Sequence, residues 1–129
     1  MAKTGDAMAG WLSTHVLDTA RGVPAAGIKV MLYRVTGNSH TKIGDFVTNG
    51  DGRVEGPLLE GRAFTTGGYE LVFCTGDYLR ATGQGPNGQA AAVLFLDEIP
   101  VRFGVTDAGA HYHVPLLLSP HGYSTYRGS

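Results

Sequence analysis

Between residues 28 and 35 apolar and polar positions alternate. Ile28, Val30 and Leu32 fall on one side of an extended chain, and Lys29, Met31 and Tyr33 on the other. That period of two predicts a strand over 28–35. The same reading predicts strands over 11–17, 41–48, 69–75, 99–106, 112–118 and 123–127. Tyr69, Leu71 and Phe73 share one face of their strand; Val101, Phe103 and Val105 face inward in theirs. Glycine and proline punctuate the rest. Asn49-Gly50-Asp51-Gly52 overlaps two turn dipeptides and predicts a tight reversal. Residues 56–68 read as irregular, with one very short strand. Residues 77–82 form a short helix that Gly83-Gln84-Gly85-Pro86-Asn87-Gly88 must end, and that run reads as an exposed loop. Pro115 interrupts an otherwise strong strand, so an edge or a bulge is expected there. Seven to eight short strands with one short helix predict an all-β sandwich of two packed sheets.

The length of 129 residues suits one domain with its own core. Lys and Arg number 10 against 11 Asp and Glu, a balance with no electrostatic footprint for nucleic acid or an anionic membrane. Cys74 is the single cysteine, so no intrachain disulfide is possible. The opening MAKTGDAMAG has no apolar stretch of signal-peptide length, and the apolar run near 90–96 is far too short to span a bilayer. A cytoplasmic protein is expected, or a periplasmic one if a signal peptide has been removed.

Three features can carry chemistry. His111 and His113 are two apart, so in a strand both imidazoles point the same way. They could bind zinc with His15 as a third ligand, or supply a general base; read alone, solvated surface histidines are preferred. Ser13-Thr14-His15 lies in the first strand, where alternation groups Trp11, Ser13, His15 and Leu17. A lone histidine there is more often a packing residue than a catalyst. Arg53 follows the Asp51-Gly52 turn, where a solvated Arg is unremarkable. The chain ends in Tyr123-Ser124-Thr125-Tyr126-Arg127-Gly128-Ser129, richer in aromatic and β-branched residues than a disordered tail.

Taken together, three segments resemble the transthyretin-related 5-hydroxyisourate hydrolases. LSTHVLDTARGVPA over 12–25, TNGDGR over 48–53 and HYHVPLLLSPHGYSTYRGS over 111–129 match the signatures of that family. The terminal Tyr-Arg-Gly-Ser is the specific element, since hormone-carrying transthyretins share the fold and lack it. The resemblance implies a transthyretin-like sandwich over residues 10–129, preceded by a flexible segment over 1–9. It implies a homotetramer, a dimer of dimers with a central channel.

The implied reaction is hydrolysis of 5-hydroxyisourate to 2-oxo-4-hydroxy-4-carboxy-5-ureidoimidazoline in urate catabolism. His15, Arg53 and His113 match the catalytic positions, and Tyr126, Arg127, Gly128 and Ser129 would line the same pocket. His111 is not among the core catalytic positions. No cofactor or metal is implied, and the partners are a small-molecule substrate and copies of the chain, not nucleic acid or membrane. The stretch 83–92 is longer and more Gly-rich than in compact members and is expected away from the channel. The rival readings are a carrier of a small aromatic ligand, a metal-binding protein built on His15, His111 and His113, and a structural sandwich.

Overall fold

A computed structural model describes residues 9–91 and 93–128. Among them the chain runs β1 (Trp11–Asp18), β2 (Val23–Pro24), β3 (Lys29–Thr36), β4 (Ser39–Val47), β5 (Leu59–Glu60), β6 (Gly67–Cys74), helix α1 (Thr75–Ala81), β7 (Glu98–Val105), β8 (His111–Ser119) and β9 (Gly122–Thr125). Seven of these strands have four or more residues; β2 and β5 have two each. One sheet has the order β2-β1-β8-β9, with β5 also on β1, and the other has the order β4-β3-β6-β7.

The alternation along the chain sets which residues meet between the sheets. Leu12 and Val16 of β1, Val30 and Leu32 of β3, Leu71 and Phe73 of β6, and Leu116 and Leu118 of β8 are fully buried. Each such side chain contributes about 1.5–3 kcal/mol on burial. The grouping of Ile28, Val30 and Leu32 holds, as does that of Tyr69, Leu71 and Phe73. In β1 the face carrying Trp11, Ser13, His15 and Leu17 is the outer one, while Leu12, Thr14, Val16 and Asp18 point inward.

Two buried polar groups on that inner face find partners. Thr14 Oγ1 donates to the Val114 carbonyl at 2.7 Å. Asp18 accepts from the Tyr78 hydroxyl at 2.7 Å, from Gln84 Nε2 at 2.9 Å and from the Arg21 amide at 2.9 Å. Tyr78 belongs to α1, so the Asp18 carboxylate ties the helix and the following loop to the sandwich.

β1 and β8 pair in parallel, in continuous register from Trp11↔His111 to Asp18↔Leu118. The strands on either side of β8 are therefore β1 and β9, which corrects the reading of Pro115. That residue lies neither on an edge strand nor at a bulge: it is buried in a central strand, opposite His15. It is tolerated because the β9 ladder covers only Leu116 to Ser119 and stops beside it. Thr125 Oγ1 then donates to the Pro115 carbonyl at 2.7 Å, so the acceptor that Pro115 retains is used. The helix begins two residues earlier than the sequence pattern suggested, at Thr75, and the last strand stops at Thr125. In the loop after α1, Gln84 and Gly85 are tucked in and not exposed.

Candidate active site

The outer face of β1 and β8 gathers the candidate residues. The parallel register sets Trp11 beside His111 and Ser13 beside His113, and His15 is one pleat further along. The outward positions of two strands distant in sequence thus become one strip: Trp11, Ser13 and His15 against His111 and His113. The imidazoles of His15 and His113 lie with ring centroids 6.5 Å apart, tilted by 43°.

Arg53 reaches this strip through the reversal after β4. The Asn49 amide donates to the Arg53 carbonyl at 2.7 Å, the Gly52 amide to the Asn49 carbonyl at 2.9 Å, and Asn49 Oδ1 accepts from the Asp51 and Arg53 amides. The closed loop docks on β1: Val16 donates to the Gly52 carbonyl at 2.8 Å, and Arg53 forms a bridge with His15. Gly52 has φ +74°, and a Cβ there would stand 2.4 Å from the Val16 carbonyl oxygen, so glycine is required by both conformation and space. The same loop presents the Asp51 carbonyl to His15 Nε2 at 2.8 Å. A carbonyl only accepts, so His15 carries its proton on Nε2.

Ser13 lies between the other two histidines. Its Oγ is 2.7 Å from His111 Nε2 and 2.8 Å from His113 Nδ1. Trp11 stacks on His111 with centroids 3.6 Å apart and planes 6° from parallel. Burial lowers the pKa of His113 below its ordinary value, and the charges of Arg53, His111 and His15 push it the same way. His111 is also lowered, by burial and then by Arg127. Both rings therefore favour the neutral form that can accept a proton. Among the described residues no three His, Cys, Asp or Glu side chains gather to hold a metal ion.

A cleft of about 420 Å³ opens over this strip, lined by Trp11, Ser13, Arg53, Val54, His111 and His113 among others. The described part of the 83–92 stretch contributes nothing to its lining.

The C-terminal tail divides. Beyond β9 the chain stays along β8, and the Gly128 amide donates to the His113 carbonyl at 2.7 Å. A Cβ on Gly128 would stand 2.8 Å from His113 Cδ2, so the tail lies directly against the imidazole. Arg127 turns the other way. Its guanidinium carbon lies 3.9 Å above the Tyr112 ring, and Nη2 donates to the His111 carbonyl at 3.4 Å. Tyr126 is exposed, and with Arg127 it borders a separate hollow beside Val101 and Phe103. Within one chain, His15, Arg53, His113 and Gly128 come together, with Arg53 and His113 lining the cleft, while Tyr126 and Arg127 do not face it. Ser129 lies outside the described residues.

The model of the HIUase/Transthyretin family matches residues 12–128. The chain belongs to that family. Among curated members, 5-hydroxyisourate hydrolase 2 of Rhizobium meliloti (strain 1021) is 58% identical over 120 residues, covering 93% of this chain and 97% of that one. The 5-hydroxyisourate hydrolase of Mesorhizobium japonicum is 56% identical over 129 residues, the whole of both chains. Among solved structures, an (S)-allantoin synthase superposes with a TM-score of 0.85 at 46% identity, over 94% of this chain. This chain spans only 44% of that protein. The transthyretin-like sandwich expected from the sequence is the family's fold and the one found here.

Strand alternation placed His111 and His113 on one face and grouped His15 with Trp11 and Ser13, as the two strands do here, but four contributors to the site escaped the sequence. Trp11 and Ser13 owe their positions to the parallel pairing of β1 with β8, which strand alternation does not encode. Asn49 closes the reversal through its side chain and backbone, and the Asp51 carbonyl reaches from it to His15. The overlapping Asn-Gly and Asp-Gly dipeptides signalled that reversal without showing what it carries.

Proposed function

We infer that this chain is a 5-hydroxyisourate hydrolase, opening the six-membered ring of that oxidised purine at an amide bond. The observation that carries the reading is the strip formed by β1, β8 and the docked 49–53 loop. It holds two imidazoles and a guanidinium around one cleft, in a chain 58% identical to a hydrolase of that name.

In the proposed mechanism His113 accepts a proton from water. Its lowered pKa keeps the ring neutral at physiological pH, as a general base requires. The water oxygen adds to the ring carbonyl, the carbonyl oxygen takes up negative charge, and the C–N bond then breaks with the proton passing to nitrogen. Arg53 stays charged and offers a planar fork to that oxygen, stabilisation that contributes about 3–4 kcal/mol in comparable sites. His15, held by the Asp51 carbonyl, stands beside Arg53 and His113 and in this reading positions the substrate or water. Gly128 keeps the tail against His113.

Tyr126 and Arg127 point away from the cleft of their own chain, so in this reading they act across a subunit boundary or by anchoring the tail. The assembly proposed is a homotetramer, working in the cytoplasm. The compartment is proposed from a single-cysteine chain that needs no oxidising environment.

The test is the ultraviolet decay of freshly generated 5-hydroxyisourate with and without purified protein. His113→Ala and His15→Ala should each abolish most of the acceleration. Substrate binding without faster decay would favour a carrier, the rival reading. Two imidazoles and a guanidinium converging on one cleft argue against that rival, because a carrier pocket needs few polar anchors.

A further inference from the structure

Ser13 Oγ is within hydrogen-bond distance of two imidazole nitrogens, His111 Nε2 at 2.7 Å and His113 Nδ1 at 2.8 Å. A hydroxyl has one proton to give. It can donate to at most one of the rings, so the two ring nitrogens facing it cannot both be bare. There are three possible arrangements; in one of them both rings donate to Ser13, which leaves the hydroxyl proton without a ring to take it. If Ser13 donates to His113 Nδ1, the proton of that ring sits on Nε2 and no basic nitrogen remains. If Ser13 donates to His111 Nε2, it accepts from His113 Nδ1–H, and His113 Nε2 carries the lone pair.

We propose that Ser13 and His111 are positioning residues that hold His113 in the Nδ1–H tautomer, leaving Nε2 free as the base. The proposal rests on the hydrolase reading for its consequence, though not for its geometry. His111 suits the accepting role because Trp11 stacks flat on its face and fixes the ring plane. No metal or acid is needed nearby; the tautomer is set by the bond at the other ring nitrogen. The arrangement also separates the histidines by task. His15 is held as Nε2–H by the Asp51 carbonyl, whereas His111 and His113 carry their protons on Nδ1. The parallel register of β1 and β8 makes this possible, because it sets Ser13 directly opposite His113 with His111 one pleat away.

The test is nitrogen-15 NMR of the imidazoles in the intact protein, which separates protonated from bare ring nitrogens without substrate. The unaltered protein should show bare Nε2 in both His111 and His113, and bare Nδ1 in His15. Ser13→Ala should let His113 relax towards the Nε2–H form that a free imidazole prefers. With it, kcat should fall about ten- to a hundredfold with little change in KM. Ser13→Thr keeps the hydroxyl and should restore both signals. His111→Phe keeps the stack on Trp11 but removes the acceptor. Ser13 should then donate to His113 and invert its tautomer, with a similar loss of kcat.

Bare Nδ1 in His113 of the unaltered protein overturns the proposal. So does a Ser13→Ala protein with an unchanged tautomer and full turnover. Failure of the unaltered protein to act on 5-hydroxyisourate would instead remove the hydrolase reading, while the nitrogen resonances would still decide the tautomer.

Discussion

Replacing Gly52 with alanine should damage stability and catalysis together. Two penalties are readable from the geometry. The residue sits at φ +74°, where an L side chain costs about 1–2 kcal/mol. The new methyl would also fall 2.4 Å from the Val16 carbonyl oxygen and 3.2 Å from the Ala25 amide nitrogen, in a space already closed by β1 and β2. The loop can relieve that overlap only by withdrawing from β1. Withdrawal breaks the bond from the Val16 amide to the Gly52 carbonyl and leaves a buried donor unmet, at about 1–3 kcal/mol. The sum is about 2–5 kcal/mol, a large share of the stability of a domain this size.

The functional loss follows from the same movement, because Arg53 and the Asp51 carbonyl ride on the loop. A displacement of about 1 Å at a site-positioning element can lower turnover about a hundredfold. Gly50→Ala is the internal control: nothing lies within 4 Å of its new Cβ, and it should change stability by less than about 0.5 kcal/mol. Urea unfolding and the decay assay on the three proteins suffice. A Gly52→Ala protein as stable and as active as the Gly50→Ala protein would refute the account of the loop.

Other outcomes follow from the electrostatics. The acid limb of kcat/KM should lie below 6.5, the ordinary value for His113, and Arg53→Gln should move it upward by removing one of the charges that lower that pKa. Burial, the larger cause, remains, so the limb should not pass 6.5; an unmoved limb would mean that Arg53 does not act on His113. The depressed pKa also means that the unfolded chain binds the proton first. His113 should therefore cost stability as pH falls from 6.5 towards its folded value, visible in urea midpoints between pH 7 and 5. Tyr78→Phe should cost about 1.5–3 kcal/mol at pH 7 by removing a hydrogen bond to the buried Asp18 carboxylate, with turnover unchanged. Burial pushes the Asp18 pKa up, but the bonds from Tyr78, Arg21 and Gln84 outweigh it and hold it low. Its contribution is present above 3.8 and disappears as pH falls through the lowered folded value. The gap between Tyr78→Phe and the unaltered protein should therefore close in strong acid.

Strand alternation was legible because burial writes it directly into the sequence: 28–35 and 69–75 read correctly to within a residue or two. Partner choice was not. Alternation says that His111 and His113 share a face, and says nothing about which strand lies beside them. Pro115 was misread for the same reason. Its lost donor matters only if a neighbour needs it, and the β9 ladder ends one residue short. The three signature segments pointed to His15, Arg53 and His113, yet the opposite courses of Arg127 and Gly128 could not be anticipated, since both lie in one four-residue match. Arg127 is drawn off by the face of Tyr112, a core residue that offers a π surface at the edge of the sandwich.

The parallel pairing of β1 with β8 has a consequence for how the protein is made. Ser13 and His113 are 100 residues apart, so a chain emerging from the ribosome can hold none of the histidine arrangement until β8 has emerged. Until then the first strand has only two short partners, and a long edge with Trp11 on it stays open to other molecules. Pairing over that separation is slow, in the range of milliseconds to seconds for sandwiches, so catalytic competence should lag behind the emergence of β8.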